Sequence, residues 1–251
     1  MKEIITVINQ KGGVGKSTTA AALGAGLTLK GYKVLHIDLD AQGNLTFCMG
    51  AGAAALSSLE VLTGTATAQE AIRHTAQGDI IPASPALAGA DALITTTGKE
   101  YRLREALEPL HDLYDYIVID TPPALGILTV NALTACTGAI IPSQADVFSL
   151  QGIAMLGQTI STVRKYCNRD LKVKGIVLTR YNSRAVLSRD MADLIDQTAQ
   201  QLQTKLYRTK IRECTALKEA QAVQENIFSY APKSNAAADY RDLVAEIIEE
   251  E

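Results

Sequence analysis

The chain has 251 residues, 47% of them hydrophobic, and 24 Lys/Arg against 27 Asp/Glu give a formal net charge of −3. That is enough for one large α/β domain spanning residues 1–251 with a core covered on both faces, and the acidic balance excludes a generally basic nucleic-acid coat protein. No stretch reaches the roughly 18 apolar residues of a membrane span, and the four scattered cysteines (Cys48, Cys136, Cys167, Cys214) lack C-x-x-C spacing, as expected of reduced thiols in a cytoplasmic protein.

Residues 4–8 (IITVI) form a short β-branched apolar run, which predicts a buried parallel strand running straight into the next segment, with no room for a signal peptide. Residues 10–18 read QKGGVGKST. A glycine-rich turn of this kind between strand and helix cradles nucleotide phosphates. Gly12, Gly13, Val14 and Gly15 turn backbone N–H groups toward phosphate oxygens, and Lys16 neutralises the β- and γ-phosphates. The Ser17 hydroxyl, beside Thr18, can ligate Mg²⁺. Gln10 stands where the general pattern has its first glycine. Lys11 is a second loop cation, poorly placed for phosphates held by its own chain. It could reach a nucleotide held by a facing subunit, which suggests a dimer closing around ATP. Residues 18–30 (TTAAALGAGLTLK) then predict a helix stopped by Gly31.

Further strands are expected at residues 33–38 (KVLHID), 116–120 (YIVID, followed by TPP), 138–142 and 173–181. Strands alternating with helices predict a mostly parallel sheet with helices on both faces and ligands at the carboxyl ends of the strands. Asp38, Asp40 and Asp120 then share an edge with the phosphate loop. Asp120 is the candidate for holding Mg²⁺, usually through water, with Asp38 a second; Asp40, in the following loop, is placed to orient an attacking water. The alternative for any one of these acids is a helix cap. His36, His74 and His111 form no cluster.

These segments resemble the ParA family of chromosome- and plasmid-partition ATPases, in its Soj-like branch. That branch lies among the deviant Walker-A P-loop proteins, with MinD, the nitrogenase iron protein and the arsenite-pump ATPase. The resemblance rests on Lys11 to Thr18, on Asp38 to Asn44 as switch I, and on Tyr116 to Pro123 as Walker B. Ile80 to Ala90, Ile141 to Gly152, Leu178 to Tyr181 and Tyr230 to Ser234 extend it along nearly the whole chain. Departures are Ala41 for the usual proline, the missing proline after Ile211, and Lys218 for a common serine.

The resemblance implies a single-domain P-loop NTPase with ATP and Mg²⁺ as ligands and weak intrinsic hydrolysis, with Lys11, Lys16 and Asp40 catalytic. ATP would join two subunits, with Lys11 of each reaching the other's phosphates. The homodimer would bind DNA non-specifically at the nucleoid, and a ParB-type centromere-binding partner would stimulate hydrolysis and release. The loops at Thr179, Arg180 and Arg212 are candidates for the base side of the nucleotide, with ATP preferred over GTP.

Charge by segment supports a DNA-facing surface. Residues 1–163 carry a net −5, residues 164–233 a net +7, and residues 234–251 a net −5. Arg180, Arg184, Arg189, Arg212, Lys218 and Lys233 are the candidate phosphate-backbone cations, with solvated helix faces as the alternative. No helix-turn-helix segment precedes the first strand, so site-specific operator binding is not expected.

The chief alternative is a MinD-like membrane-associated or protein-cargo-positioning ATPase. The final helix, near residues 236–249, spaces Tyr240, Leu243, Val244, Ile247 and Ile248 helically, but its polar side is Asp239, Asp242, Glu246 and Glu249. Anionic lipid repels such a face, which predicts a packing helix and no membrane contact. An iron–sulfur ATPase would need a cluster-ligand loop that is lacking around Cys136, and the near full-length resemblance opposes a metabolic P-loop synthetase.

Overall fold

The period-2 alternation of the apolar strands decides the layering. In the computed structural model, which describes residues 1–249, Ile5 and Val7 of β1 (Glu3–Val7) enter one apolar cluster and Ile4 the other. In β5 (Tyr116–Asp120), Tyr116 and Val118 split from Ile117 and Ile119 in the same way. A sheet apolar on both faces must be covered on both. The other central strands are β2 (Val34–Asp38) and β6 (Gly138–Ser143), and β7 (Lys172–Leu178) closes one edge. An edge hairpin, β3 (Arg73–Thr75) and β4 (Gly78–Ile81), completes the set.

Among the described residues these form one seven-stranded sheet in the order β3-β4-β2-β5-β1-β6-β7, parallel except for β3 against β4. This is the expected mostly parallel α/β sheet. The hairpin departs from strict alternation of strand and helix: its three-residue edge strand, RHT, carries no apolar run by which to recognise it. Residues 250–251, part of the expected domain span, lie outside the described residues.

Helices follow in chain order. α1 (Lys16–Leu29) leaves the phosphate loop, and α2 (Asn44–Cys48), α3 (Ser58–Thr63) and α4 (Ala68–Ala71) lie between β2 and the hairpin. α5 (Ala90–Leu93) and α6 (Arg102–Leu107) precede β5, and α7 (Ile127–Ala135) joins β5 to β6. α8 (Val147–Tyr166) and α9 (Val186–Gln201) flank β7, and α10 (Thr215–Ala222), α11 (Ile227–Tyr230) and α12 (Asn235–Ile248) end the described chain. Core residues of α1, α10, α11 and α12 cover one face, and those of α3 and α6 to α9 the other.

Ends shift slightly from expectation. α1 begins at Lys16, not Thr18, and Gly31 ends it at φ 90°. β7 stops at Leu178 because the Thr179 hydroxyl turns back to the Val14 carbonyl, 2.8 Å away, and Arg180 takes a left-handed φ of 48°.

α12 is the expected packing helix, with Tyr240, Leu243, Val244 and Ile247 buried. Its acidic side is not simply solvated, however. Asp239 and Glu246 are buried: Asp239 accepts from Arg212, and Glu246 accepts from the Arg208 and Thr209 amides at 3.0 and 3.1 Å. Two of the four acids thus tie the helix to the strand-end loop.

α1 crosses β2 closely at Gly24, where a Cβ would lie 1.9 Å from His36 Nε2. Burial holds His36 neutral, lowering its pKa from 6.5 to about 4. Gly24→Ala should therefore destabilise the fold by about 1–3 kcal/mol through overpacking. Urea unfolding checks this, and adding His36→Ala should recover part of the loss.

Candidate nucleotide site

Every candidate acid and loop lies where the parallel strands end. β1, β2 and β5 run in register, with Val7 opposite Asp120 and Asp38 opposite Asp120. The loop after β1 turns through Gly13 and Gly15 at φ 76° and 85°, a backbone open to glycine without strain. Gly15 caps α1 with no side-chain acceptor, so the helix's first N–H groups stay available to an anion.

Four side-chain contacts pin this loop. Asn9 Nδ2 donates to the Pro142 carbonyl at 2.7 Å, and Asn9 Oδ1 accepts from the Lys11 amide at 2.9 Å. Gln144 Nε2 donates to the Gly13 carbonyl at 3.2 Å, and the Thr179 hydroxyl holds the Val14 carbonyl. The loop is therefore shaped before any phosphate arrives.

A cleft of about 620 Å³ opens above it. Gly12, Gly13, Gly15, Lys16, Ser17 and Thr18 form one wall, with Asp40, Pro123, Arg180 and Lys218 around the rest. Lys16 is buried and donates to the Lys11 carbonyl at 3.2 Å; burial lowers its pKa, while Asp120 and Asp40 hold its charge.

The acids differ in what occupies them. Asp38 and Asp120 have no solvent exposure. Asp38 accepts from the Asp40 amide at 3.0 Å, the Thr46 amide at 2.8 Å and the Thr46 hydroxyl at 2.7 Å. Burial raises its pKa to about 6 against those bonds. Its carboxylate thus anchors the loop after β2, a different task from the metal role expected of it. Asp120 has no hydrogen-bond partner on either oxygen. Burial and then the Asp38 charge push its pKa well up, while Ser17 and Lys16 pull the other way. A buried carboxyl with two orphan oxygens beneath Ser17 is what a hydrated divalent cation would satisfy. No group of three or more His, Cys, Asp or Glu that could hold a metal alone occurs among the described residues, so phosphate oxygens would have to complete the shell. Asp40 is nearly buried, lines the cleft and accepts from the Gln42 amide at 3.1 Å.

Lys11 is not among the residues lining this cleft. Its ammonium points to the start of α8, 2.7 Å from Asp146. A smaller cavity of about 70 Å³ adjoins the cleft, sharing Gly15, Thr18, Arg180 and Lys218 with it, and is walled by Thr179, Ile211, Glu213 and Tyr240. The loops expected to face the base therefore do converge. Arg212 also lines this cavity, and its half-exposed guanidinium is paired with Asp239 through contacts of 2.6 and 3.0 Å, so this expected DNA-facing cation already has a carboxylate partner. Lys218 lines the nucleotide cleft, a place the charge pattern alone did not suggest. Arg184, Arg189 and Lys233 are exposed, the first two beyond β7 at the carboxyl edge.

Sequence reasoning missed Thr46 and Gln221, and held Asp146 only within the resemblance of Ile141 to Gly152, without a role. Gln221 Nε2 donates to the Thr18 hydroxyl at 2.8 Å across a separation of 203 residues, and no local pattern signals such a pairing.

An open helix N-terminus, a buried lysine, and an unpartnered carboxyl on the neighbouring strand define a P-loop nucleotide-binding protein. A family model described as an AAA domain matches residues 2–173. The chain is 39% identical to the sporulation initiation inhibitor protein Soj of Bacillus subtilis, covering 98% of each. It resembles the crystal structure of cobyrinic acid a,c-diamide synthase from Mycobacterium smegmatis with bound ADP and magnesium, at TM-score 0.85 and 36% identity, covering 99% of this chain and 94% of that one. It also resembles the septum site-determining protein MinD of Pyrococcus horikoshii, complexed with Mg-ADP, at TM-score 0.80 and 25% identity, covering 98% and 96%. The chain belongs to the Soj/ParA family of chromosome-partitioning ATPases.

Asp120→Asn should make the nucleotide-free protein more stable, by about 0.5–2 kcal/mol, because it removes a buried acid facing Asp38. The same change should abolish the gain in ADP affinity that Mg²⁺ brings. Urea unfolding and ADP titration with and without Mg²⁺ measure the two effects.

Proposed function

We propose that this chain is an ATP-hydrolysing DNA-partition protein that works as a nucleotide-gated pair. ATP binds with its phosphates along Gly12 to Thr18 and its base toward Thr179 and Arg180. Ser17 and, through water, Asp120 would hold Mg²⁺, which would neutralise charge on the phosphates. Two copies then close face to face, and Lys11 of each neutralises the other's phosphates. The observation that carries this reading is the course of Lys11, away from its own cleft and toward the surface at α8.

In hydrolysis the γ-phosphoryl group passes to water. Lys16 and the loop N–H groups stabilise the charge spread over the equatorial oxygens, and Asp40 orients the water. A resting subunit lacks the trans lysine, so its intrinsic rate should be slow. Stimulation falls to a ParB-type partner bound to a centromere-like site.

DNA binding is assigned to the exposed cations after β7, Arg180, Arg184 and Arg189, with Lys233 as a further contact, and two copies present the set twice. Binding of this kind is sequence-independent and salt-sensitive. Its place is the cytoplasm, at the nucleoid. The alternative of membrane anchoring by the last helix is disfavoured because its acids hold Arg212 and the amides of Arg208 and Thr209. Partition is favoured over the synthesis named for the M. smegmatis neighbour because several relatives at 35–39% identity, covering 98–99% of this chain, are named Soj or ParA.

The test is DNA binding by wild type and Asp40→Ala with ATP, with ADP and without nucleotide, across a salt series. Both should need ATP, ignore sequence and weaken with salt, and Arg184→Ala should reduce the log–log salt slope by about 0.9 for each phosphate that the arginine neutralises. Absence of ATP-dependent DNA binding would remove the partition role and leave the nucleotide site standing.

A further inference from the structure

Lys11 is held twice within its own subunit. Asn9 fixes its amide, and its ammonium lies 2.7 and 2.9 Å from the two Asp146 oxygens and 3.3 Å from the Ser149 hydroxyl. The lysine and aspartate side chains are 29% and 32% exposed, so the pair is neither buried nor a loose surface contact. Asp146 also caps α8, accepting from the Ser149 amide at 2.9 Å. Its carboxyl titrates below the ordinary range: burial opposes this, but the bonds from Lys11 and the Ser149 amide outweigh it. Beside this corner Val147 and Phe148 are 52% and 73% exposed, two apolar side chains with nothing over them in the single subunit.

An ammonium cannot serve this carboxylate and a partner's phosphates at once. Its donors here are directed at the Asp146 oxygens and Ser149, and pairing must break those contacts and leave the Asp146 charge behind. We propose that Asp146, assisted by Ser149, is a positioning residue that keeps Lys11 on its own subunit and thereby sets the ATP concentration at which two copies pair. This rests on the nucleotide-gated pairing proposed above. A triphosphate's concentrated negative charge can displace one carboxylate. A contact closed nine-tenths of the time multiplies the apparent constant about tenfold for each subunit that must open.

Asp146→Asn isolates the effect, because asparagine caps a helix as well as aspartate while carrying no charge; a thermal melt verifies that the variant is folded, and Ser149→Ala serves as a second variant. In the nucleotide-free protein, acetic anhydride should acetylate Lys11 several-fold faster in Asp146→Asn than in wild type, with exposed Lys30 unchanged as an internal control. Sedimentation across an ATP series should then show Asp146→Asn pairing at about three- to ten-fold lower ATP than wild type. Equal acetylation rates, or an equal or higher ATP midpoint in a wild type that does pair, overturn the holding role alone. A wild type that stays single at every ATP concentration overturns the gated pair, and the threshold role with it.

Discussion

Two carboxyl groups, Asp38 and Asp120, end neighbouring parallel strands with no solvent exposure, and the rest of the site is arranged around that concentration of negative charge. Parallel strands in register deliver their last residues to one edge, so a pair of acids there is a direct consequence of the sheet. Burial pushes both pKa values up, joined at Asp38 by the charge of Asp40 and at Asp120 by the charge of Asp38. The Asp40 and Thr46 contacts satisfy Asp38 and fold the β2 loop over the cleft. Asp120 keeps both oxygens without a hydrogen-bond partner, beside the charge of Lys16. One acid is taken up by the loop and the other keeps two unpartnered oxygens, although the two residues look equivalent in sequence.

The same economy of charge runs through the cations. Lys16 rests on the Lys11 carbonyl, and Lys11 rests on Asp146. Both lysines of the loop are therefore held by oxygen atoms of the protein that phosphate oxygens can replace. Arg180 occupies a left-handed backbone, a conformation that costs energy in a non-glycine residue and is typical of functional positions, at the junction between the phosphate cleft and the smaller cavity.

What was legible in the sequence is what local pattern encodes. The apolar runs ending in aspartate gave the core strands to within a residue or two. The spacing of residues 12–18 announced the phosphate loop because that chemistry needs a contiguous backbone turn. The edge hairpin was hidden because a three-residue polar strand borrows its stability from its neighbour. Lys218 and Arg212 were read through their charge and through the resemblance. Their roles depend on contacts that only tertiary structure creates: Asp239 lies 27 residues beyond Arg212, and α10 reaches back to a helix near the start of the chain. Asp146 was in view only as part of a resemblance. Its contact with Lys11 spans 135 positions and follows from β6 lying beside β1.

The central claim is that Lys11 serves a nucleotide held by another copy. Sedimentation velocity of wild type and Lys11→Ala with a chromophoric ATP analogue and Mg²⁺ follows protein mass and bound nucleotide together. The account predicts that wild type sediments as a dimer carrying nucleotide and Lys11→Ala as a monomer that still carries it. A Lys11→Ala monomer stripped of nucleotide would place the lysine in its own subunit's site, and a nucleotide-loaded Lys11→Ala dimer would remove it from pairing; either result contradicts the account.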